Sequence, residues 1–205
     1  NASLAMVKGE WNSAQEFIDR GLAESPSDAY TLMLSAMLNL QLGNFEESNK
    51  FIEQILEAVP DSLVGIGLEH AGAAAAIPLF ARVTGITDQL DVAVSAAREV
   101  LSVPTTANNV TYRARVGLGL IAIQRGDVES ANEQYSFLKS ERGTQPPFQT
   151  FCADRILGLL ARTIGNQDDA FAHFENALAF CRKADYRPEL AWTLHDYADM
   201  LMQRN

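Results

Sequence analysis

The sequence predicts an all-α protein built from about five repeated helical hairpins. Two short stretches, GEWNSAQEF at residues 9–17 and GNFEESNKF at residues 43–51, show the same pattern at an offset of 34 residues. Other positions recur in the same register: Trp11 with Phe45, Ala14 with Ser48, Ile18 with Ile52, and Pro26 with Pro60. Apolar residues return every three or four positions and do not alternate as in a strand. Self-similarity at a fixed period indicates a repeat array.

Glycines mark the predicted turn inside each hairpin. Each one follows an apolar helical stretch and precedes a polar step into the next helix. These are Gly9, Gly43, Gly85, Gly126 and Gly165. The second helices should end at Pro26, Pro60 and Pro104, and in the fourth hairpin at Gly143, Pro146 and Pro147. The predicted repeats are 1–27, 28–61, 62–105, 106–145 and 146–184, followed by a terminal helix at 187–204. Because the terminal helix lacks a second partner, we expect a fragment of a longer protein.

A small residue is predicted near the middle of each second helix, where it lets two helices approach closely. These residues are Ala14, Ser48, Ala93, Ala131 and Ala170. Larger side chains four residues later should fill the adjacent space in four of the hairpins: Ile18, Ile52, Tyr135 and Phe174.

Composition excludes several classes of function. The 205 residues carry 16 basic and 26 acidic side chains, a net charge of −10, which argues against direct contact with nucleic acid or an anionic membrane. Cys152 and Cys181 are too few for a disulfide framework or a four-ligand zinc site and are predicted to be buried small hydrophobes. We expect a cytoplasmic protein.

The sequence contains no pattern of residues typical of catalysis or cofactor binding. It has no phosphate-binding loop, and His70, His173 and His195 do not form a metal-ligand pair. The acidic pairs 46–47 and 168–169 fall in the first turn of predicted helices, where the helix dipole favours negative charge. We therefore expect no enzyme activity, no metal and no cofactor.

The helix-turn-helix pattern resembles the tetratricopeptide repeat (TPR), whose unit has 34 residues, over nearly the whole chain. The resemblance is strongest in the first two repeats. It is weaker in the third, where Pro78 lies inside the first helix and Gly85 and Ala93 are eight residues apart.

A second resemblance covers Asp154 to Arg204. This segment is similar to the C-terminal helical region of large bacterial regulators that carry an ATPase module with a LuxR-type DNA-binding or adenylate-cyclase-type domain. The resemblance implies a sensor or interaction module, with a protein or peptide, or other domains of the same full-length chain, as partner.

The TPR resemblance further implies that the first helices line a concave groove. Counted from the turn glycines, the groove residues are Tyr30, Met33, Met37, Gln41, Arg82, Arg113, Leu120, Gln124, Arg155 and Arg162. Guanidinium groups offer forked donors to carboxylates and phosphates, so the groove would suit an acidic segment or an anionic ligand.

Two alternatives stay open at this point. The arginines could instead pair with acidic residues of neighbouring helices as ordinary surface charges. The groove could also hold a sugar or metabolite, as resemblance to maltose-type transcription activators would imply.

A leucine in place of Ala131 or Ala170 should overpack the helix pair and lower the free energy of unfolding by roughly 1–3 kcal/mol. Thermal unfolding of the two variants measures this. An unchanged melting temperature in both would contradict the placement of these alanines between two helices.

Overall fold

The computed structural model describes residues 1–58, 67–104, 106–140 and 151–203. Within these ranges the chain forms eleven α-helices and no strand, which confirms the predicted all-α class. The predicted helix ends at Pro60 and at Gly143, Pro146 and Pro147 lie outside the described residues.

The helices follow one another as five hairpins and a final helix. They are α1 (Ala2–Lys8) and α2 (Trp11–Glu24), α3 (Ala29–Leu42) and α4 (Phe45–Ala58), α5 (Leu68–Thr84) and α6 (Leu90–Ser102), α7 (Asn108–Arg125) and α8 (Val128–Ser140), α9 (Ala153–Thr163) and α10 (Gln167–Ala184), and then α11 (Arg187–Met202). Pro26 and Pro104 each lie two residues beyond the end of a second helix, as predicted. Pro78 lies inside α5, also as predicted.

The five predicted turn glycines all follow the first helix of a hairpin. Their φ angles lie between 63° and 82°, in the left-handed region that glycine enters without strain from a Cβ atom. In the second hairpin, for example, the N–H of Gly43 reaches the carbonyl of Leu40, and the N–H of Asn44 reaches that of Asn39. The glycine spacing therefore predicted the turns correctly.

The small residues of the second helices are buried inside the hairpins, as predicted. Ala14, Ala93, Ala131 and Ala170 are fully buried and Ser48 is 1% exposed. The buried hydroxyl of Ser48 still has a hydrogen-bond partner, because it donates to the carbonyl oxygen of Ala36 on α3 at 2.8 Å. The larger partners are buried as well: Ile18, Ile52, Tyr135 and Phe174.

The first helices form an inner row, and the second helices pack outside it. α1, α3, α5, α7, α9 and α11 contact one another in that order, while each second helix packs on the first helices of its own hairpin and of the next. The row also closes on itself, because α11 contacts α1, and the ring of Pro188 lies beside Gly9. The last helix therefore meets both ends of the array.

The closest approach in the inner row is between α5 and α7. Residues 71–76 of α5 are all alanine or glycine, so α7 can come near its backbone. Pro78 has no N–H, so the carbonyl of Ala74 loses its usual donor within the helix. The backbone of Gly117 packs against that carbonyl, and a Cβ atom on Gly117 would overlap the carbonyl oxygen. Only glycine fits this crossing.

Two matched glycine substitutions test the crossing. Gly117→Ala should push α5 and α7 apart and lower the free energy of unfolding by roughly 1–3 kcal/mol or more. Gly72→Ala, on the facing helix, should raise it by roughly 0.5–1 kcal/mol, because alanine favours the helix and the nearest atom to its Cβ would lie 3.7 Å away. Urea unfolding measures both changes, and equal shifts of the same sign would contradict the packing.

Candidate functional site

The ten residues predicted to line a groove lie on four helices of the inner row. They are Tyr30, Met33, Met37 and Gln41 on α3, Arg82 on α5, Arg113, Leu120 and Gln124 on α7, and Arg155 and Arg162 on α9. The structure separates them into residues packed within the fold, a tyrosine–arginine pair, and a group that meets α11.

Four of the ten are used in packing the inner row. Met33, Met37 and Leu120 lie in the hydrophobic core, 5%, 7% and 0% exposed. Gln124 donates from its amide to the carbonyl of Pro78 at 2.8 Å and so joins α7 to α5. The groove residues were predicted by their distance in sequence from the turn glycines, which assumes that each first helix has a face exposed to solvent. α3 and α7 are instead covered by neighbouring helices on several sides.

Tyr30 and Arg113 form a pair away from α11. The guanidinium carbon of Arg113 lies 5.2 Å from the centroid of the Tyr30 ring, a cation–π geometry. Arg113 is 4% exposed, and burial lowers the pKa of its guanidinium. Among the described residues no carboxylate forms an ion pair with it.

Arg155 is the centre of the group that meets α11. Its Nε donates to Glu189 Oε1 at 2.7 Å, its Nη2 to Glu189 Oε2 at 3.3 Å, and its Nη1 to Asp196 Oδ2 at 2.9 Å. The backbone N–H of Cys152 also donates to Glu189, at 2.6 Å. Glu189 and Asp196 are seven residues apart on α11 and therefore lie on one face, two turns apart.

Two further arginines complete the contact with α11. Arg82 donates to the second oxygen of Asp196, at 2.7 Å, so Asp196 bridges α5 and α9. Arg162 donates to Asp199 at 2.8 Å, near the C-terminal end of α11. Three arginines predicted to face an acidic segment thus pair with three acids of the chain's own last helix. We call Arg82, Arg155, Glu189 and Asp196 the ionic anchor.

Three of the four residues of the ionic anchor are buried, and the Arg82 side chain is 24% exposed. Arg155, Glu189 and Asp196 are 4%, 3% and 2% exposed. Burial by itself would lower the pKa of Arg155, but the carboxylates of Glu189 and Asp196 outweigh it and raise that pKa. Desolvation of such groups is compensated only when each keeps its charged partners. In this structure the compensating acids are supplied by α11.

The side of α11 that faces the protein is unusually polar. Its fully buried residues are Glu189, Thr193, Asp196 and Met200. Toward α10 the contact is aromatic, since Tyr197 stacks on Phe174 with ring centroids 5.3 Å apart. The large apolar side chains Leu194, Leu201 and Met202 are 46%, 42% and 69% exposed. Ion pairs and the packing of Tyr197 and Met200 together hold this helix on the inner row.

A small cavity remains between α3, α5 and α11. Its volume is about 30 Å³, and its walls include Met37, Arg82, Phe151 and Trp192. Trp192 closes it on one side and donates from Nε1 to Gln41 Oε1 at 3.0 Å. Such a volume holds about one or two water molecules, whereas small-molecule sites usually measure about 300–1,000 Å³.

A second polar cluster, which the sequence did not predict, joins α8, α9 and α10. His173 Nδ1 lies 2.8 Å from Asp154, and its Nε2 lies 3.2 Å from the Tyr135 hydroxyl. The same hydroxyl donates to Asp169 at 2.6 Å and accepts from Lys139 at 3.0 Å. The pKa of Tyr135 is raised, chiefly by burial, and that of Lys139 is raised, chiefly by its bond to Tyr135. Both stay protonated at neutral pH, and the cluster joins the three helices through hydrogen bonds.

The sequence interpretation missed the acids of α11. Glu189, Asp196 and Asp199 recur at intervals of seven and three, which places them on neighbouring faces of one helix. This spacing predicts an acidic face on the terminal helix. It would have identified the partners of the arginines if the terminal helix had been placed in the groove.

Comparison with protein-family models, with curated proteins and with solved structures gave no match. Within the described ranges, none of the helices combines the length and hydropathy needed to cross a bilayer. The same residues contain no group of three or more His, Cys, Asp or Glu side chains placed to hold a metal ion.

Arg155 and Arg162 offer a matched test of the ionic anchor, because they are seven residues apart on one face of α9. Arg155→Leu leaves the buried Glu189 without a charged partner and Asp196 with Arg82 alone, and it should lower the free energy of unfolding by about 3–5 kcal/mol. Arg162→Leu breaks a pair with Asp199 whose side chains are 21% and 44% exposed and should cost about 1 kcal/mol or less. Urea unfolding measures both, and similar costs would show that Arg155 is no anchor.

Proposed function

We propose that this chain is a non-catalytic TPR-type interaction module whose inner face binds an acidic helical segment. The observation that supports the proposal is the position of α11. It lies on the inner row and matches Arg82, Arg155 and Arg162 with Asp196, Glu189 and Asp199. The acids of α11 support this chemistry, because they already pair with the arginines of the inner face.

Several features favour a TPR-type array. Glycine turns with positive φ separate the helices of each hairpin. Small buried residues stand at equivalent positions of the second helices, and the first helices form the inner row. In the TPR family this inner row is the surface that binds partners, which agrees with the position of the arginines.

The mode of docking of α11 favours exchange with a partner. Because Arg155 is buried, loss of its carboxylate partners would be costly in both the free and the bound state. A partner helix that carries acids at the spacing of Glu189, Asp196 and Asp199, with an aromatic residue at the place of Tyr197, would reproduce the contacts that α11 makes. Replacement of one acidic helix by another then avoids a state in which the arginines are unpaired.

The context we propose is a bacterial multidomain signalling or transcriptional regulator. The resemblance that suggests it covers Asp154 to Arg204, the segment that contains α9, α10 and α11. In such a protein, the partner would be a segment of another protein or another domain of the same full-length chain, and release of α11 would report that the partner has bound.

The small-molecule alternative has little room at the centre of the inner face. The cavity beside Trp192, about 30 Å³, is roughly ten times smaller than a typical ligand site, so a sugar or metabolite would enter it only after α11 had moved. Two wider clefts beside Arg162, about 340 and 430 Å³, are within the size range of ligand sites.

Peptide binding tests the proposal. The chain with Glu189→Gln and Asp196→Asn keeps its arginines but holds α11 more weakly. A fluorescent peptide with the sequence of residues 186–203 should bind this variant more tightly than wild type, where the tethered helix competes at high effective concentration. Anisotropy measures the affinity, and circular dichroism checks that the variant remains helical.

Two controls isolate the ion pairs. The same peptide with Gln, Asn and Asn at positions 189, 196 and 199 should bind at least roughly tenfold more weakly, a difference of about 1.4 kcal/mol. Adding Arg155→Leu to the weakened chain should remove the preference for the acidic peptide. If the folded variant binds the acidic and neutral peptides equally, the inner face is not an acidic-helix site.

A further inference from the structure

The two cysteines, 29 residues apart in the sequence, meet in the fifth hairpin. Cys152 immediately precedes α9 and Cys181 lies in the last turn of α10. Both are free and buried, 2% and 0% exposed, and with Ala177 they form a small cluster. The sequence predicted two unrelated buried hydrophobes, and their burial is confirmed, but the structure brings them together.

The two thiols lie together in this buried cluster. The Cys152 side chain makes no hydrogen bond to the first turn of α9, and the N–H of Arg155 donates to the Cys152 carbonyl oxygen at 3.1 Å. The neighbouring thiols shift each other's pKa in opposite directions. The first effect of the pairing is to lower the pKa of Cys152, while burial opposes it, and the same pairing together with burial raises the pKa of Cys181.

The position of Cys152 in the chain strengthens this asymmetry. It is the residue that caps the N-terminus of α9, where unpaired N–H groups and the helix dipole stabilise negative charge on sulfur. Cys181 lies near the opposite end of its own helix, where no such groups are available. Cys152 is therefore suited to attack a disulfide, and Cys181 lies beside it to displace the resulting mixed disulfide.

We propose that Cys152 and Cys181 are a redox-active pair that forms a reversible disulfide between the start of α9 and the end of α10. The oxidant is a low-molecular-weight disulfide. The Cys152 thiolate attacks one of its sulfurs, forming a mixed disulfide and releasing one thiolate. Cys181 loses its proton and attacks the Cys152 sulfur, the mixed bond breaks, and the second small thiol leaves. Two protein thiols are oxidised and one small disulfide is reduced to two thiols.

The bond would fix the hairpin that carries Arg155. It closes a loop between residues 152 and 181, which restricts the unfolded chain more than the folded one. Transient disulfides of this kind are the sort found in reducing compartments. The inference does not depend on the proposed binding of an acidic helix, because the pair lies within α9 and α10.

Equilibration of the full chain in glutathione redox buffers tests the pair. Thiol counting and intact mass should show the loss of two hydrogen atoms, reversed by dithiothreitol, and a peptide map should link residues 152 and 181. The folded chain should oxidise roughly tenfold or more favourably than the same chain in urea, and the oxidised protein should melt several degrees higher. A folded chain that is harder to oxidise than the unfolded one would show that the sulfurs cannot reach bonding geometry and would overturn the proposal.

Single variants test the order of attack. Cys181→Ser should accumulate a mixed disulfide with glutathione at Cys152, because nothing resolves it. Cys152→Ser should leave Cys181 largely unmodified under the same conditions. Equal glutathionylation of the two variants would overturn the assignment of Cys152 as the attacking sulfur, and circular dichroism of both confirms that they are folded.

Discussion

The buried guanidinium of Arg155 is the constraint on which the rest of the C-terminal part depends. Arg155 is 4% exposed, and taking its charge out of water is costly unless charged partners compensate it. Both of its carboxylate partners come from α11. This requirement sets where α11 lies and which of its faces turns inward. It also explains why a helix with exposed Leu194, Leu201 and Met202 is nevertheless held against the protein. Asp196 extends the constraint to α5 through Arg82, so the third and fifth hairpins are joined by one helix.

The hairpins supply the frame in which this anchor is possible. Small residues inside each hairpin let its two helices approach, and the glycine turns keep the connections short. The same device recurs between hairpins where Gly117 packs on the carbonyl that Pro78 leaves without a donor. Pro78, which interrupts the repeat pattern in the sequence, thus contributes to the close crossing of α5 and α7. The inner row then curves until α11 reaches α1.

Two polar features of the fifth hairpin share one region of the chain. The backbone N–H of Cys152 donates to Glu189, and its side chain packs with Cys181 in a buried cluster. The residue that begins α9 therefore belongs both to the ionic anchor and to the thiol pair. The two proposals therefore concern the same hairpin. A partner helix would act on it through the ion pairs, and an oxidant would act on it through the two thiols.

The sequence by itself determined the helical class, the turns at Gly9, Gly43, Gly85, Gly126 and Gly165, and the buried small positions, because periodicity and turn chemistry act over a few residues. It also indicated that arginines collect on the first helices. Only the tertiary structure decided what those arginines meet: α11 as the occupant, Asp196 between Arg82 and Arg155, and Trp192 against Gln41, which is 151 residues away. It likewise decided that Cys152 meets Cys181. Such contacts depend on the curvature of the whole array, which is the sum of many small angles between neighbouring helices. A sequence pattern that spans only a few residues does not determine this curvature.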